Sequence, residues 1–600
     1  MQIRCWFASL LVVVGCSTSD PDPSVPDPIV PFAQLERTRT IAPGATCTFG
    51  GTAVESGADR NRDHVLEDTE VDHVTTACQA AAPPTLLRSD AEPPGEHCSS
   101  GGERIQTGPD RDGDGALGDD EVAATTYVCM AGEIFHGDFT AAMWDDPAAV
   151  AALHDARVIT GSLTVASAAP VALPRLELVG GSLTIIQSGT PTALAVPALA
   201  QVGADVILRD AGFTGDVVLP ALARVGGSFE ILEQPGSTAD SHTVAAAALV
   251  EVGGSVVLEA QIAAVDLHLL RTVGGTLSVD ALPITELALP ALTDVGANLL
   301  VNRNYQLAAI DLHALRTVSG ELGLGDLRVA AIELPVLVET GGLAIESCTA
   351  SRVSLPALAA IHGSLGILAV FRLEELALPA LRIVDGSVTI VQSLQLVHVA
   401  LPVLESVGEH PTPLAAPWSL MLSGNALADV ALPRLGRAPV AVIVQAVRSL
   451  TAFTLPALTE TRQLTITGGP LLTRVALPAL TSAGAVAIDA PALTELTLPQ
   501  LTVVSDRLSL RRTQLVDLRG LASATTIANL VVDQNPVLGS LVGLERLTAI
   551  AGQLTLTGNP SLASLAALAN LTTVGGAVTI GGDPALPPEE IGALIQRVHP

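Results

Sequence analysis

The sequence predicts a mainly β protein: a right-handed β-helix, or leucine-rich solenoid, with helical caps, preceded by two small disulfide-linked repeats. Three observations predict it. From about residue 158 onward a unit of roughly 20–24 residues recurs. Inside each unit, polar and apolar residues alternate over short stretches. Finally, 48% of the 600 residues are hydrophobic but only 2% are aromatic. The core must therefore be built from Leu, Val, Ile and Ala, which suits thin stacked layers better than an irregular globule.

The unit is centred on an L-P-x-L core, beginning at Leu173, Leu219, Leu289, Leu334, Leu355, Leu378, Leu401, Leu432, Leu455, Leu477 and Leu498. Degenerate versions at Val196, Ala246, Leu267, Leu312, Leu518, Leu541 and Leu565 bring the count to eighteen. After the core usually comes V-G-G-x-L-x-I, as in Val179–Ile185 and Val574–Ile580. Ser182–Ile185 alternates, so it reads as a strand with Leu183 and Ile185 inward and Thr184 outward. The Gly pair before it is expected to turn a corner. A second extended segment, such as Leu287–Leu292, contains Pro290, which cannot donate to a strand ladder and belongs at a strand end. Two strands per coil follow.

A single coil offers about five aliphatic residues and cannot fold alone; stacking covers both of its faces, so the array needs caps. Asp146-Pro147 ahead of Val150 and Leu153 supplies an N-cap and a proline at the first helical position, which assigns 134–157 as the entrance cap. At the other end Ile591, Leu594, Ile595 and Val598 follow helical spacing after Pro587-Pro588-Glu589-Glu590, predicting a capping helix in 586–600. The solenoid spans 158–585. This periodicity resembles the leucine-rich β-helix of receptor L domains, and Asn535-Pro536, Asn559-Pro560 and Asp583-Pro584 match the turn of that pattern. The L-x-x-L-x-L-x-x-N signature of horseshoe repeats is kept less well, which favours a flatter solenoid. The resemblance implies recognition surfaces rather than catalysis.

Residues 1–16 carry Arg4, an apolar stretch from Cys5 to Val14, and then Gly15-Cys16. They resemble a bacterial lipoprotein signal peptide, which implies cleavage before Cys16 and acylation of that residue as a stable anchor; an ordinary secretory signal is the alternative. Residues 17–40 read as a tether, because STSDPDPSVPDPIVP is too rich in Pro and Asp to fold. Ser17 after the lipidated cysteine resembles outer-membrane sorting. The expected location is therefore outside the cytoplasm, lipid-anchored, at the outer membrane or cell surface.

Segments 41–83 and 84–133 are an internal duplication, each with two cysteines at equal spacing. Pairing within each repeat, Cys47 with Cys78 and Cys98 with Cys129, is the simplest of three connectivities; crossed pairing is the alternative. Between the cysteines lies a twelve-residue acidic loop. In the second copy Asp110, Asp112, Asp114, the Ala116 carbonyl and Glu121 fall at the ligand positions of an EF-hand-like calcium loop, with Gly115 at the sharp turn and Leu117 as anchor. The first copy offers Asp59, Asn61, Asp63, the Val65 carbonyl and Glu70, but His64 replaces the glycine, so a weaker calcium site is expected there. A solvated acidic turn without metal is the competing reading of both. The pattern C-x-x-G-G, the Asp/Asn loop, E-V and Tyr127-Val128-Cys129 resembles a short repeat of predicted surface proteins in bacteria such as myxobacteria.

The formal charge of −31 opposes binding to nucleic acid and to anionic headgroups. Outside the N-terminus no uncharged apolar run reaches the ~18 residues of a spanning helix, and two Tyr and three Trp cannot furnish the aromatic girdles of an outer-membrane barrel. Two intervals are enlarged, Leu219–Ala246 and Leu401–Leu432, and the second holds Trp418. Trp418 is a possible ligand contact, against the plainer role of covering apolar coil edges. His268 and His313 read as outward-facing substitutes for Pro, against ligands should they be adjacent in space, and Cys348 as a small buried or edge residue without a partner. β-Helical polysaccharide lyases need acid and Arg or Lys groups clustered on one face, and the charges here are spread. The expectation is a non-catalytic envelope lipoprotein that binds an unknown surface protein or glycan, or serves a structural role. A calcium-dependent adhesin or carbohydrate binder is the alternative.

Overall fold

A computed structural model describes residues 34–41, 51–58, 71–78, 85–93, 97–98, 102–129, 133–166, 170–186, 194–209, 216–232, 242–259, 262–408 and 418–598. The signal peptide with Cys16, most of the tether, Cys47 and the first acidic loop (Asp59, Asn61, Asp63, Val65, Glu70) lie outside them.

The chain divides into two units, Met1–Cys78 and Gln79–Pro600. In the first, Gln34–Ile41, Gly51–Ala58 and Val71–Cys78 form an antiparallel sheet. Its first strand starts inside the segment assigned to the tether. QLERTRTI carries β-branched residues and no proline, unlike the Pro-Asp run before it, and it pairs along its whole length with the next strand.

The second unit is a right-handed β-solenoid of about 19 turns. Its main face is one 32-stranded parallel sheet in which successive turns stack in register, Leu277 on Leu299 on Leu322. One turn shows the construction. Asp294–Val295 and Leu299–Asn302 lie in the main sheet, and the chain then turns through Asn304. Ala309–Asp311 follows in a narrower second sheet, and Leu312–Leu315 returns to the next rung. Val295, Leu299, Val301, Leu307, Leu312 and Leu315 all point inward and are buried. The second face is strand as far as Glu495–Thr497; beyond it 3-10 turns at Arg519–Leu521 and Ala566–Leu568 take its place. Pro290 sits just past the strand Glu286–Ala288, as its missing N–H requires.

Two expectations change. The Gly pair does not turn a corner between faces; it bends a strand within the main sheet, and in Thr317–Gly325 and Glu339–Glu346 the strand runs straight through. Glycine is needed there because backbones of adjacent turns touch: a Cβ on Gly203 would lie 2.0 Å from the Gly180 carbonyl oxygen. Where the bend interrupts the strand and the second face is extended, a turn has three extended segments; where the strand runs through, it has two. In addition, the eighteen cores are joined by a further turn, Val158–Val165, whose core is Leu153-His154-Asp155-Ala156, with Leu153 and Ala156 buried. That core was missed because it lies at the end of a helix.

The helix is α1, Pro147–Asp155, with the Asp146 carboxylate accepting from Ala148 N at 2.9 Å. Ile134–Phe135 and Phe139 add a partial rung beneath the first turn. At the far end α2, Pro588–Val598, buries Leu594 and Val598 and packs Ile591, while Ile595 is 42% exposed. Of its apolar positions, only the stripe at 591, 594 and 598 reaches the last turn. One apolar core runs continuously from Phe139 to Val598.

The second cysteine repeat is not a separate bead. Its antiparallel strands Thr85–Glu92, Gly102–Pro109 and Ala124–Val128 pack on the first turns, where Ile105 and Val128 bury against Val158 with Leu87, Ile134 and Leu178 beside them.

Candidate functional site

The second acidic loop hangs between Gly102–Pro109 and Ala124–Val128, and the disulfide Cys98–Cys129 closes the repeat. Gly113 and Gly115 take φ of +75° and +78°, which lets the chain reverse direction around Asp110. Asp110 is buried, with Oδ1 accepting from Gly113 N (2.7 Å) and Oδ2 from Gly115 N (3.1 Å). Asp112 accepts from Asp114 N, and Asp114 from Ala116 N. Carboxylate oxygens of Asp110, Asp112 and Asp114 converge within 4.8 Å of one another.

Glu121 does not join that cluster. It is buried beneath the loop, where Oε1 accepts from Arg111 N and Asp112 N and Oε2 from Gly118 N. Those amides, Gly118 first, hold its carboxyl below the usual value against the opposing effect of burial. Asp112 lies above its usual value. The Asp114 amide pulls it down, but burial and the charges of Asp114, Glu121 and Asp110 outweigh that pull. The arrangement is a set of mutually repelling carboxylates held in place by backbone donors, a geometry that a hard cation would relieve.

A second feature lies on the outer face of the main sheet. The central outward position of each rung carries Leu300, then Gly323, Ala344 and Gly366, then Thr389 and Met421. Three stacked rungs with nothing larger than a methyl there leave an open groove of about 640 Å³. It extends roughly 19 Å from Leu300 to Thr389 at ~4.8 Å per rung. Glu321, Glu346, His362 and Thr389 border it. Burial raises the Glu346 carboxyl, and the nearby charges of Glu321 and Asp326 add to the rise. His362 stands between Glu339 (3.7 Å) and Asp385 (3.3 Å). Trp418, half-buried, donates its indole N–H to the bordering Thr389 Oγ1 at 2.9 Å.

Sequence reasoning singled out Trp418 but missed the groove. The signal was present as LGLG at 322–325, LAIE at 343–346 and LGIL at 365–368, three successive repeats with a small residue between the inward pair. His268 and His313 are exposed and bond to Asp266 and Asp311, two residues before each. Cys348 is buried, with Sγ directed at the carbonyls of Leu324 and Glu346.

The fold and these sites define a β-solenoid with a disulfide-closed acidic repeat at its entrance. Residues 35–78 and 85–129 each match a family described as a domain of unknown function, DUF7151. No curated protein matches the chain.

Proposed function

We propose that this is a non-catalytic envelope lipoprotein whose solenoid presents the groove over Gly323, Ala344 and Gly366 to a surface glycan. The groove is the observation that carries the reading. Its floor of backbone and small residues accepts the apolar face of a sugar ring, the bordering carboxylates accept from hydroxyls, and Trp418, bonded to the bordering Thr389, puts an aromatic ring within reach. No arginine lines it, so an anionic ligand gains no partner there. The N-terminal resemblance supports export and anchoring through acyl chains on Cys16, at the outer membrane or cell surface.

A glycan array probed with the full mature chain and with Gly366→Leu tests this. A Cβ at Gly366 meets only the flexible end of Leu368, at 2.8 Å, so the variant fills the groove without disturbing the backbone. Binding at least tenfold weaker in the variant is expected. Equal binding by both places the ligand elsewhere, binding to no glycan or cell surface leaves a structural role, and release of shortened sugar products overturns the non-catalytic reading.

A calcium-dependent form of the same function is favoured by the convergence of Asp110, Asp112 and Asp114. An affinity in the extracellular range, ~10⁻⁴–10⁻³ M, suits so few ligands. Calcium titrated into wild type and into Asp112→Asn/Asp114→Asn distinguishes the cases: a chelator-reversible rise in the melting point of wild type alone supports the site. No rise in either leaves a solvated acidic turn.

A further inference from the structure

Each turn after a main-sheet strand has one inward position that closes the bend. Asn304, Asn425, Asn535 and Asn559 occupy it in four turns, all buried. Their side-chain amides work in the same way. The nitrogen donates to a carbonyl of the preceding rung: Asn304 to Val279, Asn425 to Ile390, Asn535 to Leu510 and Asn559 to Val532. The oxygen accepts a backbone N–H of that rung, from Leu282, Ser393, Thr513 and Asn535 respectively.

In the last turn the position belongs to Asp583, 7% exposed. Oδ1 does what the asparagine oxygens do and accepts from Asn559 N at 2.5 Å. Oδ2 is fully buried and has no hydrogen-bond partner. It stands where the other turns have an amide donor, and the equivalent carbonyl of the preceding rung is that of Leu556. An ionised carboxylate has nothing to donate there and would face a carbonyl oxygen, a costly burial.

We propose that Asp583 is a proton-binding site. Its carboxyl holds a proton more tightly in the closed turn than in the open one and, so protonated, donates from Oδ2 to the backbone as the asparagine amides do, closing the C-terminal turn. The surroundings favour the neutral form. The charged group that acts on it is Asp533, itself engaged by Arg511 (2.8 Å) and by Thr557 Oγ1 (2.7 Å). On α2, Glu590 accepts from Leu565 N and Arg597 donates to the carbonyls of Leu568 and Leu571. Among the described residues no basic group pairs with Asp583. Burial lifts its carboxyl above 3.8 against the pull of the Asn559 amide and side chain and of the Gly581 amide, and the charge of Asp533 adds to the rise.

The sign follows. Below about 3.8 the acid is protonated whether the last turn is closed or open, so its contribution to closure is complete. As pH rises from there to the folded value, the open form ionises first and closure weakens tenfold per unit; above the folded value the dependence levels off. Hydrogen exchange of the full chain, read over residues 554–586 and corrected for intrinsic rates, measures this opening. Wild type should show the tenfold-per-unit rise starting near pH 4, and Asp583→Asn, which restores the amide, should remove the rise while staying at least as protected at pH 8. Identical profiles overturn the proposal. So does a wild-type profile that responds to chelator, because a bound cation would then occupy Oδ2.

Discussion

The inward asparagines carry more of the solenoid's stability than their number suggests, and Asn535 is the sharpest place to test this. Its Oδ1 accepts from both the N–H and the hydroxyl of Thr513 (2.9 and 2.7 Å), and its Nδ2 donates to the carbonyls of Leu510 and Asp533 (3.1 and 3.2 Å). Asn535→Ala leaves the Thr513 amide and the Leu510 carbonyl buried without these partners. At ~1–3 kcal/mol for each orphaned group, the local loss is about 2–6 kcal/mol. A stacked array opens in segments rather than as one two-state unit, so the assay is segment-resolved hydrogen exchange over residues 503–557. Two kcal/mol corresponds to roughly a 30-fold rise in opening. Val516→Ser, at a side chain 63% exposed, is the control and should change little. If Asn535→Ala raises opening less than threefold, the amides are passengers and the aliphatic stack alone sets the turn.

Three further outcomes are expected. Replacing Cys98 and Cys129 by Ser releases a loop closed over 31 residues and should destabilise the second repeat by roughly 3–4 kcal/mol, measured by limited proteolysis in urea. Gly203→Ala forces a Cβ to 2.0 Å from the Gly180 oxygen and should abolish soluble expression, whereas Gly592→Ala in α2, with open space around it, should be neutral or gain up to ~1 kcal/mol in thermal melts. Burial pushes the Cys348 thiol up to about 11 from 9.0; iodoacetamide at pH 8 should modify it only in urea, and its contribution to stability, complete below 9, should fall as pH rises towards 11.

How much of this was legible depended on whether the information is local. Leu183 and Ile185 announce an inward pair within four residues, and the pair recurs, so strand and repeat could both be read. Asp146-Pro147 likewise marked α1 from two adjacent residues. The bend at the Gly pair was misread as a corner because its cause is contact between turns, Gly203 against Gly180, which a single repeat does not display. The surroundings of Glu121 are likewise not local: its spacing fits a loop ligand, and in the folded loop its two oxygens accept from three amides. Cys348 read as an isolated small residue, yet it occupies the bend position that asparagine holds elsewhere, and its thiol points at the carbonyls of Leu324 and Glu346 as an amide would.

A repeat with a nearly constant core places its distinguishing chemistry in its departures. The inward leucines must recur, since each covers the turn beside it, so they say nothing about a ligand. Outward positions are under no such constraint, and a run of Gly323, Ala344 and Gly366 where the flanking rungs carry Leu300 and Thr389 removes surface that folding would tolerate. The enlarged interval Leu401–Leu432 is a second departure, and its Trp418 lands on Thr389, the residue bordering that same groove. Two independent irregularities of the array thus meet at one place on the sheet.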